Sequence, residues 1–163
     1  MIWPTQAQAP SLATTELIME FPTTLWHWYG QAEYKRVLAV CEAIEGLTFL
    51  AMSASAQEDA IHPCRACETW SVKMLPLHDA LTVCGSAMPA QVRTPLQRVW
   101  EMCNELPETA FDCGVRLMFE HEEWQPLRDA AELTLALLEV DQLAAFLEEL
   151  EVDCRNEIWG LNR

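Results

Sequence analysis

The residues of this chain best placed to do chemistry are His62-Pro63-Cys64-Arg65-Ala66-Cys67. A C-x-x-C pair can put two thiolates on one zinc ion or close a redox disulfide. A closed zinc site needs two more ligands. Cys84 follows with 16 residues between it and Cys67, inside the usual gap, but the partner expected at position 87 is Ala. His62, His78 or Cys41 would need a favourable fold to take that place. Redox use of the thioredoxin kind calls for alternating strands and helices around the motif, and that alternation is absent. The bland reading is two free cysteines near a turn. A zinc- or thiol-dependent protein built on Cys64 and Cys67, with His62 as a further ligand, is the weakest functional alternative.

Other enzyme signatures fail by counting. The five glycines stand far apart, so neither a phosphate-binding loop nor a dinucleotide fingerprint can be written. No G-x-S-x-G elbow is present. His121-Glu122-Glu123-Trp124-Gln125 begins like the zinc-protease helix, but Gln125 stands where a second His must share the ion. Glu120, Glu122 and Glu123 crowd His121 without an evident nucleophile, and such a His is more often solvated or ion-paired than catalytic. A non-enzymatic protein without a cofactor is expected.

Charge is distributed unevenly. Residues 101–163 hold 16 Asp or Glu against 4 Lys or Arg, a net of −12 out of −15 for the chain. Near the C-terminus Glu149, Asp153 and Glu157 recur every four residues, a rise of about 6 Å per step on a helix. Glu148 and Glu151, with Asp141, form a second row. Those steps are shorter than the ~8 Å Debye length at physiological salt, so the carboxylates repel by a few tenths of a kcal/mol per pair until a cationic surface relieves them. The partner-binding candidates are therefore Glu148, Glu149, Glu151, Asp153 and Glu157, with Glu120, Glu122 and Glu123 as a second cluster. The bland reading is an acidic surface that serves solubility. Trp26-His27-Trp28-Tyr29 adds a possible aromatic anchor in Trp26 and Trp28, against the simpler reading that they fill the core.

The elements that must position these groups are predicted to be helices. An apolar content of 51% and a length of 163 residues suit one folded domain over 1–163, which would bury roughly 70% of its extended-chain surface. Tyr34, Val37, Leu38, Cys41 and Ile44 share helical spacing after Gly30, and Gly46 is a candidate stop. A short helix from Pro76 to Cys84 closes on Gly85. Thr94-Pro95 reads as a helix start, with Leu96, Val99, Trp100, Cys103 and Leu106 on one stripe and Pro107 as its end. Pro107 to about Glu123 reads as helical with Ala110, Phe111, Val115, Leu117 and Met118 inward, although Gly114 weakens it. Pro126 opens a helix through Leu127, Ala131, Leu135 and Leu138. Asp141 can cap a last one, with Leu143, Phe146, Leu147, Leu150 and Cys154 inward.

The expected fold is all-α or mainly α, a bundle of about five to seven helices. A minor β element near 47–52 or 115–121 is an option. Residues 1–29 read as a less regular segment interrupted by Pro4, Pro10 and Pro22, and 94–163 as the acidic helical region.

Seven cysteines is an odd number, and Cys41, Cys84, Cys103 and Cys154 occupy core-like positions, which points to reduced thiols. No basic and apolar leader opens the chain and no apolar run reaches the ~20 residues of a membrane span, so a cytoplasmic protein is expected. Only Lys35 and Arg36 are adjacent cations, which disfavours direct nucleic-acid binding. In general character, a small acidic helical chain without enzyme motifs resembles the inhibitors that phages and mobile elements use against nucleic-acid-binding defence complexes, anti-CRISPR proteins and DNA mimics among them. The likeness is one of composition. It implies a partner with a basic surface, such as a nucleic-acid-binding complex. The alternative is a small acidic chaperone for a secreted or aggregation-prone partner, which would use an exposed apolar groove and a homodimer.

Overall fold

A helix that is apolar on nearly every side must be enclosed by others, and residues 34–51 meet that description. In the computed structural model, which describes residues 20–62 and 64–161, they form the central helix α2 (Tyr34–Ala51). Helices α1 (Phe21–Gly30), α5 (Leu75–Cys84), α7 (Trp124–Leu137) and α9 (Leu147–Trp159) pack against it. The remaining α-helices are α3 (Ala54–Ala60), α4 (Arg65–Glu68), α6 (Ala90–Glu105) and the single turn α8 (Val140–Leu143). The buried side chains form one cluster, and Trp124, Phe49 and Phe119 are the largest that are completely enclosed in it. The architecture is a helical bundle, and no strand occurs among the described residues. Readings that rest on residues 1–19 or on Pro63 lie outside the described residues.

Gly46 does not stop α2. A Cβ at that position would collide with the Lys73 carbonyl oxygen, so the glycine marks the place where another backbone crosses the central helix closely. The helix runs on through Leu47–Ala51, which excludes a strand there. The crossing backbone belongs to a π-helical stretch, Thr69–Met74, joining α4 to α5. That stretch is apolar enough to bury Met74 but carried no helical signature in sequence.

The end of α5 follows expectation: Leu77, Ala80 and Cys84 are buried and Gly85 turns the chain at φ +51°. Helix α6 starts a turn before Thr94-Pro95, because Val92 is buried and Pro89 occupies the N-cap, leaving Pro95 inside the helix. Its other end lies where Pro107 puts it, since the residue before a proline favours extended backbone and Leu106 adopts φ −60°, ψ 128°.

Three further expectations are corrected. Residues 107–123 form turns rather than a helix, with one 3-10 turn at Met118–Glu120 and Leu117 in the left-handed region at φ +58°. The Asp112 side chain accepts the Gly114 N–H at 2.7 Å, closing an Asx turn that competes with helix. Ala110, Met118 and Phe119 are still buried, but Leu117 is exposed. The predicted last helix is broken as well. Glu139 is left-handed at φ +53°, α8 lasts a single turn, and α9 begins after Phe146, so Asp141 is not the N-cap. The N-terminal irregularity is corrected in part: Pro22 sits in the first turn of α1, where its missing N–H has no intrahelical bond to lose.

Candidate functional site

The break before α9 brings together two features that stood apart in sequence. Helical periodicity placed Phe146 in the core, yet it is 44% exposed, its ring 5.5 Å from Trp26 and nearly perpendicular to it. Trp26 lies three residues before Tyr29 on α1, and their rings meet edge to face at 6.0 Å. Across from them α9 presents Glu149 and Asp153, four residues apart and so on one face. Together Trp26, Tyr29, Phe146, Glu149, Leu150 and Asp153 line a groove of about 270 Å³.

The aromatic pair Trp26 and Trp28 divides between two roles. Trp28 is only 5% exposed, packed edge to face on Phe21 with the Arg36 guanidinium over its ring, and so belongs to the core. Trp26 is 40% exposed and forms a groove wall. Two residues apart on a helix is about 200°, which turns the two indoles in opposite directions.

The carboxylates of α9 divide the same way. Glu148 and Glu149 are exposed, with no ion pair among the described residues, and Glu157 is exposed. Asp153 is half-buried and accepts the Tyr29 hydroxyl at 3.5 Å. Burial and the Asp153 charge hold the Tyr29 phenol above its usual range, so it stays a neutral donor. Glu151 points inward at 8% exposure and is ion-paired with Arg155, which also reaches Glu42 at 3.4 Å. Burial pushes the Glu151 carboxyl up to about 7, helped by a hydrogen bond and charge from Glu45 and opposed by Arg155. Glu151 therefore offers no surface charge.

Among the described residues no Lys or Arg lines the groove. Arg36 pairs with Glu33 at 3.6 Å and Arg155 with the Glu151 set. Aromatic faces carry negative quadrupole potential, and two carboxylates at the rim add to it, so the groove favours a guanidinium or ammonium group. Its volume falls below the roughly 300–1,000 Å³ of small-molecule sites and suits one side chain.

The second acidic cluster is exposed but differently built. Glu120, Glu122 and Glu123 lie on the turns before α7, where the Glu123 N–H donates to His121 Nδ1 at 3.1 Å. Residues His121–Glu123 are not helical, which removes the zinc-protease geometry altogether. Arg128 ties this segment down by donating to the Phe119 carbonyl, to Gln57 Oε1 at 2.9 Å and to the Met52 carbonyl at 3.1 Å. Its charge is thereby used internally.

The cysteines also fall into two sets. Cys41, Cys84, Cys103 and Cys154 are buried, and burial pushes their thiols up to about 12, 11, 12 and 11, so they stay protonated. Cys84 contacts the Arg36 carbonyl at 3.9 Å and is no partner to the C-x-x-C pair. The residue that joins the pair is Cys113: it is disulfide-bonded to Cys64, and its sulfur is 3.5 Å from that of Cys67. The expectation that all thiols are reduced is thus corrected for Cys64 and Cys113. His62 is exposed and stands outside this cluster.

No helix among the described residues is long and apolar enough to cross a membrane. Comparison with protein-family models, curated proteins and solved structures found no match to this chain.

Proposed function

We propose that the chain is a non-enzymatic interaction protein that covers a basic surface of a larger protein, taking one Arg or Lys side chain into the groove between α1 and α9. Glu148 and Glu149 meet flanking cations. The supporting observation is the convergence of Trp26, Tyr29 and Phe146 with Glu149 and Asp153 around one groove. Either feature alone has a bland explanation. Exposed aromatics beside carboxylates, with no described Lys or Arg among the lining residues, are what an arginine anchor requires. The finer parts of the reading are a cytoplasmic setting and a target that binds nucleic acid, in the manner of an anti-CRISPR protein or a DNA mimic. An anionic field that reaches such a basic cleft would compete with phosphates for the same Lys and Arg side chains.

The test is calorimetric titration with a short arginine-rich peptide and a neutral control of the same length. The expected result is binding of the basic peptide alone, weakened about tenfold or more by a several-fold rise in ionic strength. The double variant Glu149→Lys, Asp153→Lys should abolish it. Equal affinity for the neutral peptide, or affinity indifferent to salt, overturns the reading. A homodimer that prefers an extended apolar peptide would point instead to an acidic chaperone.

A further inference from the structure

The sulfurs of Cys64, Cys67 and Cys113 lie within 4.8 Å of one another. A disulfide accounts for two of them and leaves the third unexplained. Cys67 is exposed, unlike the four core thiols, and makes no apolar packing case for its position. We propose that these three residues form a thiolate site for one zinc ion in the reduced protein, with the metal and the Cys64–Cys113 bond as alternative states of one cluster.

The geometry is built from two directions. Cys64 is the extended N-cap residue of α4, at φ −102°, ψ 105°, and Cys67 lies in the first turn beyond it. The chain changes direction between them, so both side chains reach one point. The Glu68 N–H donates to the Cys64 carbonyl at 3.0 Å and the Ser71 hydroxyl to the Cys67 carbonyl at 2.9 Å, which holds that arm. Cys113 comes from the opposite side on the Asx turn closed by Asp112 and Gly114, with the Val115 N–H donating to the Asp112 carbonyl at 3.0 Å. Its Cα is 5.7 Å from that of Cys64. Tetrahedral zinc with Zn–S bonds of ~2.3 Å needs neighbouring sulfurs about 3.8 Å apart. The observed 3.5 Å between Cys67 and Cys113 is close to that spacing. Three thiolates select a thiophilic ion over magnesium or calcium, and the fourth position falls to water.

Interconversion balances with one co-reactant. A dithiol reductant gives two electrons and two protons to the Cys64–Cys113 bond, becoming a disulfide while both cysteines become thiols. Zinc then displaces three protons, one from each sulfur. The bound ion would staple the irregular segment around residue 113 to the start of α4, a contact that is independent of the groove.

The experiment reduces the full chain with a phosphine under anaerobic conditions, adds zinc, removes the excess and measures metal per chain by elemental analysis. Cobalt substitution reads the ligands through thiolate-to-metal charge-transfer absorption. The expected result is about one zinc per reduced chain, with Cys67→Ser and Cys113→Ser each weakening affinity tenfold or more while helical circular dichroism is unchanged. Oxidation by an added small-molecule disulfide, which takes the two electrons and is cleaved to two thiols, should re-form Cys64–Cys113 and release the metal. Failure of the reduced wild type to retain zinc, or full affinity in Cys113→Ser, overturns the assignment. Because peptide binding is measured separately, failure here leaves the groove reading standing and failure there leaves this one standing.

Discussion

Glu149 and Glu151 are two residues apart on the same helix, yet one rims an open groove and the other is buried against Arg155. Trp26 and Trp28 repeat the contrast on α1. A run of like residues is therefore not a surface. Helical rotation sorts it into one member that supports the fold and one that is free to meet a partner.

The contrast is broken most forcefully at the tryptophans. Trp28→Ala should destabilise the fold by about 3–5 kcal/mol, because a buried indole leaves a cavity the helices cannot close. In a chain of this size that lowers the melting temperature by about 10 °C. Trp26→Ala should cost about 1 kcal/mol or less in stability, and it should weaken the arginine-rich peptide about fivefold through the lost aromatic face. Thermal melts and titrations of the two variants together decide the assignment. Equal destabilisation would erase the distinction between wall and core.

A smaller effect separates the carboxylates. Glu151 has a folded-state pKa of about 7, above its unfolded value. Below the unfolded value the carboxyl is neutral in both states. As pH rises the unfolded chain ionises first, so the stability associated with the protonated form is lost as pH climbs through the folded value. Wild type should therefore lose stability between about pH 4.5 and pH 7 relative to Glu151→Gln, whose profile should be flatter. Denaturant melts across that pH range check this. Glu149→Gln, in contrast, should weaken peptide binding, read by the same titration.

Much of the fold was legible because its punctuation is local. Pro107 ends α6, Gly85 ends α5, and the apolar repeat of Val37, Cys41 and Ile44 marks α2. What escaped depends on contacts distant in sequence or on local turns that compete with helix. Gly46 looks like a stop until Lys73 is seen crossing it. The apolar residues from Ala110 to Met118 fit helical spacing, but the Asx turn at Asp112 and left-handed Leu117 take the chain elsewhere.

The same limit governs the sites. Periodicity puts Phe146 in the core because it assumes an unbroken helix, and the break before α9 turns it outward onto Trp26. Cys113 stands 46 residues after Cys67, with no spacing rule to connect them. Acidity was visible in the sequence. Which carboxylates face solvent was not, because Glu151 is buried, and Arg155 reaches Glu42, only once α9 lies on α2.

A guanidinium or ammonium group entering the groove between α1 and α9 would be reported by the tryptophan indole N–H resonances in an NMR titration with N-acetyl-arginine amide. The Trp26 signal should shift in a saturable, salt-sensitive way while those of Trp28 and Trp124 stay in place. A Trp26 signal that stays still, or one that moves equally with a neutral amide, would contradict it.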